Sequence, residues 1–399
     1  MNIGLLTQYY KPEMGAPQNR LYEMMSGLKK CGNNVYIITA MPNYPTGKIF
    51  KEYKGKFTSK EVLDDIEIKR YWLYASNTRK KIPRIFNMIS FSISSLLCLP
   101  YLRSKHLDYL IIESPPLTLG YTGRWLAKLS GAKLIANISD LWPLSARELG
   151  AIGDGAIYKA LEKLERYIYR KSTFVMGQSE EIVSYIDRHG AKQTYLFRNG
   201  VDPTRFDLSK KRTRKDGMPV KIIYAGLLGF AQGIADICQN VNFKELNAEF
   251  HIYGAGGELE SIKKIIAEHP DKGISYHGVV SRDELPSKLL DADMTLIPLV
   301  KNIFGAVPSK IYESMAAGLP IMFCGEGEGA KIVAENGLGL VSPPKDYKAL
   351  CDNIKKAASD PELIKDMSAN CIDCANNKFN RPKQVKALHD YMQKLIDKE

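Results

Sequence analysis

Short apolar runs alternate with amphipathic segments along the first half of the chain. The runs NIGLLT, NVYIITA, LDYLIIES, AKLIANISD and FVMGQS are typical of buried strands. The segments between them, such as APQNRLYEMMSGLKKCG and AIYKALEKLERYIYRKS, carry the spacing of amphipathic helices. Apolar strands that alternate with helices predict a parallel sheet covered on both faces.

The second half repeats this pattern with the strand-like runs VKIIYAG, AEFHIYG, ISYHG, MTLIPL, LPIMFC and GLGLVS. We therefore predict an α/β protein of two doubly wound, Rossmann-like domains, whose ligands bind at the carboxyl ends of the strands. Turn residues and a basic linker in LFRNGVDPTRFDLSKKRTRKDGMPV mark the boundary. The predicted domains are 1–200, for acceptor binding and membrane association, and 201–380, for nucleotide-sugar binding. A last helix at 381–399 is able to pack on either domain.

Charge is distributed unevenly over these halves. The chain has 56 Lys and Arg against 44 Asp and Glu, a net charge of +12, and the whole surplus lies in residues 1–205. A basic half beside a neutral one predicts an anionic partner for the first domain. The N-terminal sequence lacks the pattern of a signal peptide, and the seven cysteines are scattered, so we expect reduced thiols in a cytoplasmic protein.

One segment of the first half departs from the alternation. RKKIPRIFNMISFSISSLLCLPYLRSKH has an apolar run at 85–102 with basic residues at both ends. Serines, an asparagine and a proline interrupt this run, which makes a membrane span an unsuitable interpretation. Two interpretations stay open: a buried core helix, or a helix in the membrane interface with its basic residues near anionic headgroups.

The helix predicted to begin at SKIYESMAAG carries two charged groups of interest. Lys310 can meet a phosphate as a point charge, and Glu313 can accept hydrogen bonds from two vicinal hydroxyls, as on a ribose. A solvated helix with an i,i+3 ion pair is the structural alternative. Glycines at the strand ends of YAGLLGFAQG, IYGAGG and YHGVVSRDEL favour a nucleotide diphosphate, because a missing Cβ lets a ligand approach the backbone.

No metal site is expected. The acidic pair of DAD, at 291–293, ends a helix before a strand, where structural polarity explains it, and the histidines have no ligand spacing.

Pieces of the chain in a consistent order resemble the retaining glycosyltransferases of family 4, which have the two-domain GT-B fold. The matching pieces are YYKPEMGAPQNR, MPNYPTGKIF, SDLWPLSARELG, FRNGVD, YAGLLGFAQG, YGAGGELE, HGVVSRDEL and GAVPSKIYESMAAGLPI. The subgroup that they resemble most includes the N-acetyl-L-fucosamine transferases of bacterial surface polysaccharides. The resemblance implies two domains that face a central crevice.

The resemblance also implies roles for individual residues. The second of the family's two glutamates matches Glu313, whereas the first falls on Gly305, and the family's Arg/Lys pair falls on the neutral Leu227 and Gln232. Asp140 stands where family members often have a histidine. The implied catalytic residues are Asp140, Lys310 and Glu313. The implied donor-binding residues are Gly15, Gly229, Gln232, Gly254, Val279, Val280, Gly305, Ala306, Val307, Lys310 and Glu313. The residues expected to meet the acceptor or the membrane are Asn19, Arg20, Lys80, Lys81, Arg84, Phe86 and Phe91.

The implied reaction transfers a sugar, such as an N-acetylamino or deoxyamino sugar, from a nucleoside-diphosphate donor with retention at the anomeric carbon. A UDP-linked donor is preferred, with no other cofactor. The acceptor is a polyprenyl-diphosphate-linked saccharide of O-antigen or capsule assembly, at the inner leaflet of the plasma membrane. Two alternatives remain: a UDP-sugar 2-epimerase of the same architecture, and a non-catalytic protein that binds membranes or nucleic acid through its charge. We expect no nucleic-acid partner.

Overall fold

The computed structural model describes residues 1–78, 80–215 and 217–398 and divides into two compact units. The first unit is Met1–Asn199 with Arg381–Glu399, and the second is Gly200–Asn380.

The first unit is built on an eight-stranded sheet in the order β3-β4-β2-β1-β5-β6-β7-β8. Its strands are β1 Asn2–Thr7, β2 Asn34–Ala40, β3 Thr58–Leu63, β4 Ile66–Tyr71, β5 Tyr109–Ser114, β6 Lys133–Ile138, β7 Phe174–Gly177 and β8 Thr194–Leu196. Its first helices are α1 Ala16–Lys30, α2 Lys81–Ser94, α3 Leu99–Lys105, α4 Thr118–Ser130, α5 Leu144–Glu148, α6 Ala156–Lys171 and α7 Glu180–Arg188.

Seven strands of this sheet run parallel, and only β3 is antiparallel to its neighbour β4. The sequence pattern did not predict this hairpin, because its residues TSKEVLDDIEIKRY alternate apolar and charged positions instead of forming an apolar run. The central strand β1 pairs with β2 and β5, and its inner residues Ile3 and Leu5 are fully buried.

The last helix, α15 Arg381–Ile396, belongs to the first unit. It contributes Val385, Leu388 and Met392 to the same apolar core as Met24 and Leu28 of α1. The helices approach closely at Gly27, where an added Cβ would lie 2.8 Å from Cγ1 of Val385. Packing of buried apolar residues therefore fixes this helix to the N-terminal sheet.

The second unit has a six-stranded parallel sheet in the order β11-β10-β9-β12-β13-β14. Its strands are β9 Val220–Ala225, β10 Ala248–Tyr253, β11 Ile274–Tyr276, β12 Met294–Pro298, β13 Ile321–Cys324 and β14 Gly339–Ser342. Its helices are α8 Ile234–Asn240, α9 Leu259–Glu268, α10 Leu285–Leu290, α11 Lys310–Ala316, α12 Gly327–Glu335, α13 Tyr347–Ser359 and α14 Pro361–Asn376. Helices cover both faces of the sheet and enclose two apolar clusters. The strand order reverses between β9 and β12, which is where open α/β sheets bind ligands.

Candidate functional site

Two glycines end the adjacent strands β9 and β10 in the second unit. Gly226 has φ of +148° and Gly254 has φ of +146°, a backbone conformation that side chains rarely allow. A Cβ at Gly254 would lie 1.8 Å from the carbonyl oxygen of Gly226, so the two strand ends are packed backbone against backbone. The two strand ends therefore meet through their backbones alone at the switch point of the sheet.

Lys310 begins α11 and extends over the end of β9. Its Nζ donates a hydrogen bond to the Tyr224 hydroxyl at 3.0 Å and lies 4.4 Å from the centroid of that ring. A Cβ at Gly226 would meet Cε of Lys310 at 2.5 Å and Nζ at 2.7 Å. The glycine therefore makes room for the lysine, and the tyrosine holds it at the edge.

Burial lowers the pKa of Lys310 to about 8, against a smaller opposing effect of Glu313. The lysine is thus mostly cationic near neutral pH although its surroundings disfavour the charge. An anionic ligand at this position would relieve that cost.

Glu313 lies one turn further along α11, and its side chain is 29% exposed. Oε1 of Glu313 is 4.0 Å from a guanidinium nitrogen of Arg205, in the segment that opens the second unit. The carboxylate is therefore partly exposed to solvent and lies near two cationic side chains, those of Arg205 and Lys310. Arg205 was not among the residues predicted from the sequence, because only the fold brings its segment to α11.

The other predicted donor-binding residues of this unit lie on loops. Gly229 and Gln232 follow β9, and the Gln232 backbone N–H donates to the Gly229 carbonyl at 3.0 Å. Oε1 of Gln232 is buried and has no hydrogen-bond partner among the described residues. A depression of about 290 Å³, open solvent included, is lined by Gln232 together with residues at the end of β12, the last residue of β13, the loop after β14 and the start of α13.

Val279 and Val280 follow β11, and Val279 is 73% exposed. In the loop before α11, Gly305 and Val307 are buried and Ala306 is partly exposed. The side chain of Val307 belongs to an apolar core cluster, so only its backbone is able to meet a ligand.

The two aspartates of the DAD segment, Asp291 and Asp293, take part in structural contacts. The carboxylate of Asp291 lies 2.6 Å from Nζ of Lys221, and Asp293 accepts the backbone N–H of Lys221 at 2.8 Å. No cluster of three metal-ligating side chains occurs in residues 1–78, 80–215 and 217–398.

In the first unit, Arg20 is the centre of a buried polar network at the carboxyl ends of β5, β6 and β7. Its guanidinium donates to Glu113 Oε1 at 2.7 Å and also to the side chains of Ser139 and Gln178. Burial raises the pKa of Glu113, and the charge of Arg20 opposes that shift. Arg20 pairs with Glu113 and its contacts hold three strand ends together. The expectation that it meets the acceptor or the donor stays a prediction.

Asp140 directly follows this network after β6, and its side chain is exposed at the strand end. The surrounding protein still removes enough hydration to raise its pKa, with Arg20 acting in the opposite direction. Gly15 and Asn19 lie at the start of α1, where the Asn19 N–H donates to the Gly15 carbonyl at 3.0 Å. Asp140, Gly15 and Asn19 therefore belong to the first unit, whereas Lys310 and Glu313 belong to the second.

Helix α2 exposes its apolar face and buries its polar one. The buried side chains of this helix include the polar Asn87, Ser92 and Ser94 and the apolar Phe91. The large exposed side chains from this helix to the end of the following 3-10 turn are Ile82 68%, Ile85 49%, Phe86 60%, Ile89 38%, Ile93 62%, Leu96 44% and Leu97 57%. We call these seven residues the apolar face of α2.

The prediction that Phe91 meets the membrane is wrong, since this ring is 0% exposed and points into the unit. Phe86 is exposed, as are Lys80 and Arg84. Arg79 and the side chain of Lys81 lie outside the described residues. By length and composition alone, Ile82–Lys105 is the one helix in the described ranges that is long and apolar enough to cross a membrane.

Comparison with known proteins gives one family match and a long relative. Residues 205–373 match the family of Glycosyl transferases group 1. WcaI of Escherichia coli, described as a putative colanic acid biosynthesis glycosyl transferase, is 25% identical over 366 residues, which cover 87% of this chain and 90% of that protein.

Two solved structures share the fold over the whole chain. Sucrose-phosphate synthase from Thermosynechococcus elongatus has a TM-score of 0.74 at 16% identity and covers 100% of both chains. HepE of Anabaena, solved in complex with UDP, has a TM-score of 0.71 at 12% identity and covers 99% of this chain and 100% of that one. These findings confirm the predicted GT-B fold class, and they identify the chain as a glycosyltransferase whose residues 205–373 match the group 1 family.

Proposed function

We propose that the protein transfers a sugar from a UDP-linked donor to a polyprenyl-diphosphate-linked saccharide, with retention at the anomeric carbon, during assembly of a bacterial surface polysaccharide. The E. coli relative described for colanic acid biosynthesis supports the polysaccharide context. The HepE structure with UDP supports the choice of nucleotide. Neither comparison favours the epimerase alternative, because the family and this relative are both described as glycosyl transferases.

The observation that carries the donor half of the proposal is the arrangement of Lys310 and Glu313 around Gly226. A diphosphate at this edge would receive the charge of Lys310, whose side chain packs against Gly226 at the end of β9. Glu313, one helical turn away and partly exposed, is within reach of the ribose hydroxyls of the same nucleotide.

The chemistry that we propose is electrostatic stabilisation of the departing diphosphate. Negative charge grows on the β-phosphate as the bond to the anomeric carbon breaks, and Lys310 stabilises that charge. We assign Asp140, exposed beside the Arg20 network, to the acceptor side of the reaction. The mechanism requires no metal ion.

Association with the inner leaflet is proposed from the inverted polarity of α2. Water does not stabilise an exposed apolar stripe, and contiguous apolar surface of this kind marks a site of protein or membrane contact. Lys80 and Arg84 lie at the start of the same helix, and the excess of basic residues lies in the same half of the chain. Apolar surface next to cationic groups favours an anionic bilayer.

The function is tested by incubating the protein with labelled UDP-sugars and lipid extracts from bacteria that make surface polysaccharides. We expect label to move into the lipid-extractable fraction for one donor sugar, and Lys310→Met to reduce the rate. Hydrolysis of every donor without labelled lipid would contradict the proposed acceptor. Formation of a 2-epimer would instead establish the alternative.

Membrane association is tested by co-sedimentation with phosphatidylglycerol vesicles. The variant Ile85→Asp/Ile89→Asp is expected to remain in the supernatant. Its control, Ile157→Asp, changes a residue that is 71% exposed on a different helix, α6, and should sediment as the wild type does. Equal sedimentation of both variants would refute the membrane role of α2.

A further inference from the structure

The apolar face of α2 has exposed aromatic side chains along both of its borders. On one border, the chain that follows β4 runs beside the helix. The Tyr74 backbone N–H donates to Oγ of Ser90 at 2.8 Å, and the Tyr74 carbonyl accepts Nδ2 of Asn87 at 2.8 Å. Oγ of Ser94 donates to the Trp72 carbonyl. These hydrogen bonds hold Trp72 and Tyr74 alongside α2.

The rings on this border contact one another in pairs. Trp72 stacks on Phe57 with centroids 6.1 Å apart and 11° between the ring planes. Tyr74 meets Phe86, a residue of the apolar face, edge to face with centroids 6.4 Å apart. Phe57, Trp72 and Tyr74 are 53%, 37% and 45% exposed. We call these three residues the first strip.

Helix α4 lies along the other border of the apolar face. Oγ of Ser92 donates to Oγ1 of Thr118 at 2.8 Å, and Oγ1 of Thr122 donates to the Ser92 carbonyl at 3.0 Å. Ser92 is two residues from both Ser90 and Ser94, which places it about 160° around the helix from each of them. The five members of the apolar face within α2 lie in the arc of about 160° between Ser92 and Ser90. The two borders are therefore on opposite sides of the apolar face.

The exposed side of α4 carries Tyr121, Trp125 and Leu129, which we call the second strip. A spacing of four residues places these side chains on one side of the helix, where they are 48%, 43% and 42% exposed. Tyr121 and Trp125 form an edge-to-face pair with centroids 6.4 Å apart. The opposite side of α4 packs closely on the sheet, since a Cβ at Gly123 would lie 2.2 Å from Cγ2 of Ile112. The second strip therefore faces away from the sheet.

The charges around these helices have one sign. By sequence, α2, α3 and α4 carry six basic residues and no acidic one. Nζ of Lys128 lies 5.8 Å from the ring centroid of Trp125, and Nε of Arg103 donates to the Leu129 carbonyl at 2.9 Å. Cations beside Trp and Tyr rings suit the headgroup region of an anionic bilayer, where these rings are enriched. Two copies of the chain that met at these helices would bring like charges together, which favours a bilayer over self-association.

We propose that the two strips are interfacial anchors that seat the first unit on an anionic bilayer, with Trp72 and Trp125 at the level of the headgroups and the apolar face of α2 between them among the acyl chains. The inference rests on the proposed membrane association of α2. It adds anchoring residues outside that helix, and it gives the orientation of the unit. Because a strip borders each side of α2, the helix lies along the membrane plane and the unit cannot roll around the helix axis.

The depth of the anchors is tested with proteins that keep one tryptophan each. The chain has three tryptophans, so Trp125→Phe/Trp142→Phe leaves Trp72, and Trp72→Phe/Trp142→Phe leaves Trp125. Fluorescence is measured on phosphatidylglycerol vesicles whose acyl chains carry bromine close to the headgroup or close to the tail end. We expect bromine close to the headgroup to quench both tryptophans more strongly, and the vesicles to protect both from acrylamide in the water. A vesicle-bound protein whose tryptophan is fully open to acrylamide and unquenched by bromine would overturn the proposal for that strip.

The contribution of the second strip to binding is tested with Tyr121→Ala/Trp125→Ala and the control Ile157→Ala, which changes a residue 71% exposed on α6. We expect the double variant to bind phosphatidylglycerol vesicles about tenfold more weakly, because two rings lose their apolar contact with the bilayer, and the control to bind as the wild type does. Equal affinity in all three proteins would refute the anchoring role of the strip.

Two further outcomes separate this inference from the proposals on which it rests. A dimer in lipid-free solution that Tyr121→Ala/Trp125→Ala abolishes, measured by sedimentation velocity, would assign the second strip to a second copy of the chain and overturn the inference. No binding of the wild type to the vesicles would refute the membrane association of α2 together with the inference. Wild-type binding that changes in neither strip would refute the inference alone.

Discussion

We predict that removing the charge of Lys310 increases the stability of the protein and decreases its affinity for UDP. Its pKa falls from 10.5 to about 8 on folding, and each unit of pKa corresponds to about 1.4 kcal/mol, so keeping the charge costs the folded state about 3 kcal/mol at neutral pH. The hydrogen bond and cation–π contact with Tyr224 return about 1 kcal/mol of this cost. Lys310→Met, which keeps the unbranched apolar part of the side chain and removes its charge, should therefore stabilise the second unit by about 2 kcal/mol.

The same substitution should weaken UDP binding. A hydrogen bond from a cation to phosphate contributes roughly 1.5–3 kcal/mol, which corresponds to a loss of about 10- to 100-fold in affinity. Differential scanning fluorimetry should show a melting temperature about 5 °C higher than that of the wild type without ligand, and a smaller increase on adding UDP. Isothermal titration calorimetry gives the affinity directly.

Lys355→Met is the matched control for this experiment. Lys355 is exposed on α13, so removing its charge should change neither the melting temperature nor the UDP affinity appreciably. A lower melting temperature for Lys310→Met would refute the claim that the buried charge destabilises the folded state. An unchanged UDP affinity would refute the phosphate contact.

Further predictions concern pH and backbone. The UDP affinity of the wild type should fall as pH rises through about 8, because Lys310 then loses its proton, and calorimetry on Lys310→Met should show no such step. Gly226→Ala should weaken UDP binding at least tenfold in the same titration, because the new Cβ would meet the lysine at 2.5 Å, whereas Gly153→Ala, with no atom within 4 Å, should leave it unchanged. Burial raises the pKa of Glu165 to about 7, so the folded state holds the proton more tightly than the unfolded state does. The stability gained from this protonation is complete below about pH 4.5 and is lost as pH rises through 7. Denaturant titrations from pH 4 to 8 should show this decline in the wild type and a weaker one in Glu165→Gln; identical pH profiles would contradict the assignment.

The fold could be predicted from the sequence because most of its strands are buried on both faces. Continuous apolar runs such as LDYLIIES and MTLIPL have few other interpretations when helical segments separate them. The hairpin of β3 and β4 escaped prediction because its alternating pattern resembles that of a polar surface segment. It lies at the edge of the sheet, where one face of each strand remains accessible.

The candidate site could be predicted only where its residues are close in sequence. Lys310 and Glu313 share one helix, so their spacing placed them together in advance. Tyr224 and Arg205 come to the same place only through the pairing of strands and the path of the chain before β9. The close approach of Gly226 to Lys310 likewise depends on three-dimensional packing that no local pattern records.

The orientation of α2 illustrates a different limit. Its sequence contains apolar residues around most of the helix, so periodicity alone could not tell which face meets the protein. The buried face was decided by hydrogen bonds, such as the one from Gln8 to Asn87, and by the size of Phe91 in the core. A wholly buried helix does not describe the result, since one face is docked and the other is apolar and exposed, whereas the interfacial helix stays a prediction.

The measurement that tests the central claim most directly is calorimetric titration of UDP into the wild type, Glu313→Ala and Glu335→Ala. Glu335 is an exposed carboxylate on α12 and serves as the control. We expect the wild type and Glu335→Ala to bind UDP equally, and Glu313→Ala to bind at least tenfold more weakly while melting at a similar temperature, because we assign its carboxylate to the ribose and the partly exposed side chain supports little of the core. Equal affinity in all three proteins would remove Glu313 from the donor site, and no binding of UDP by the wild type would contradict the account of the second unit.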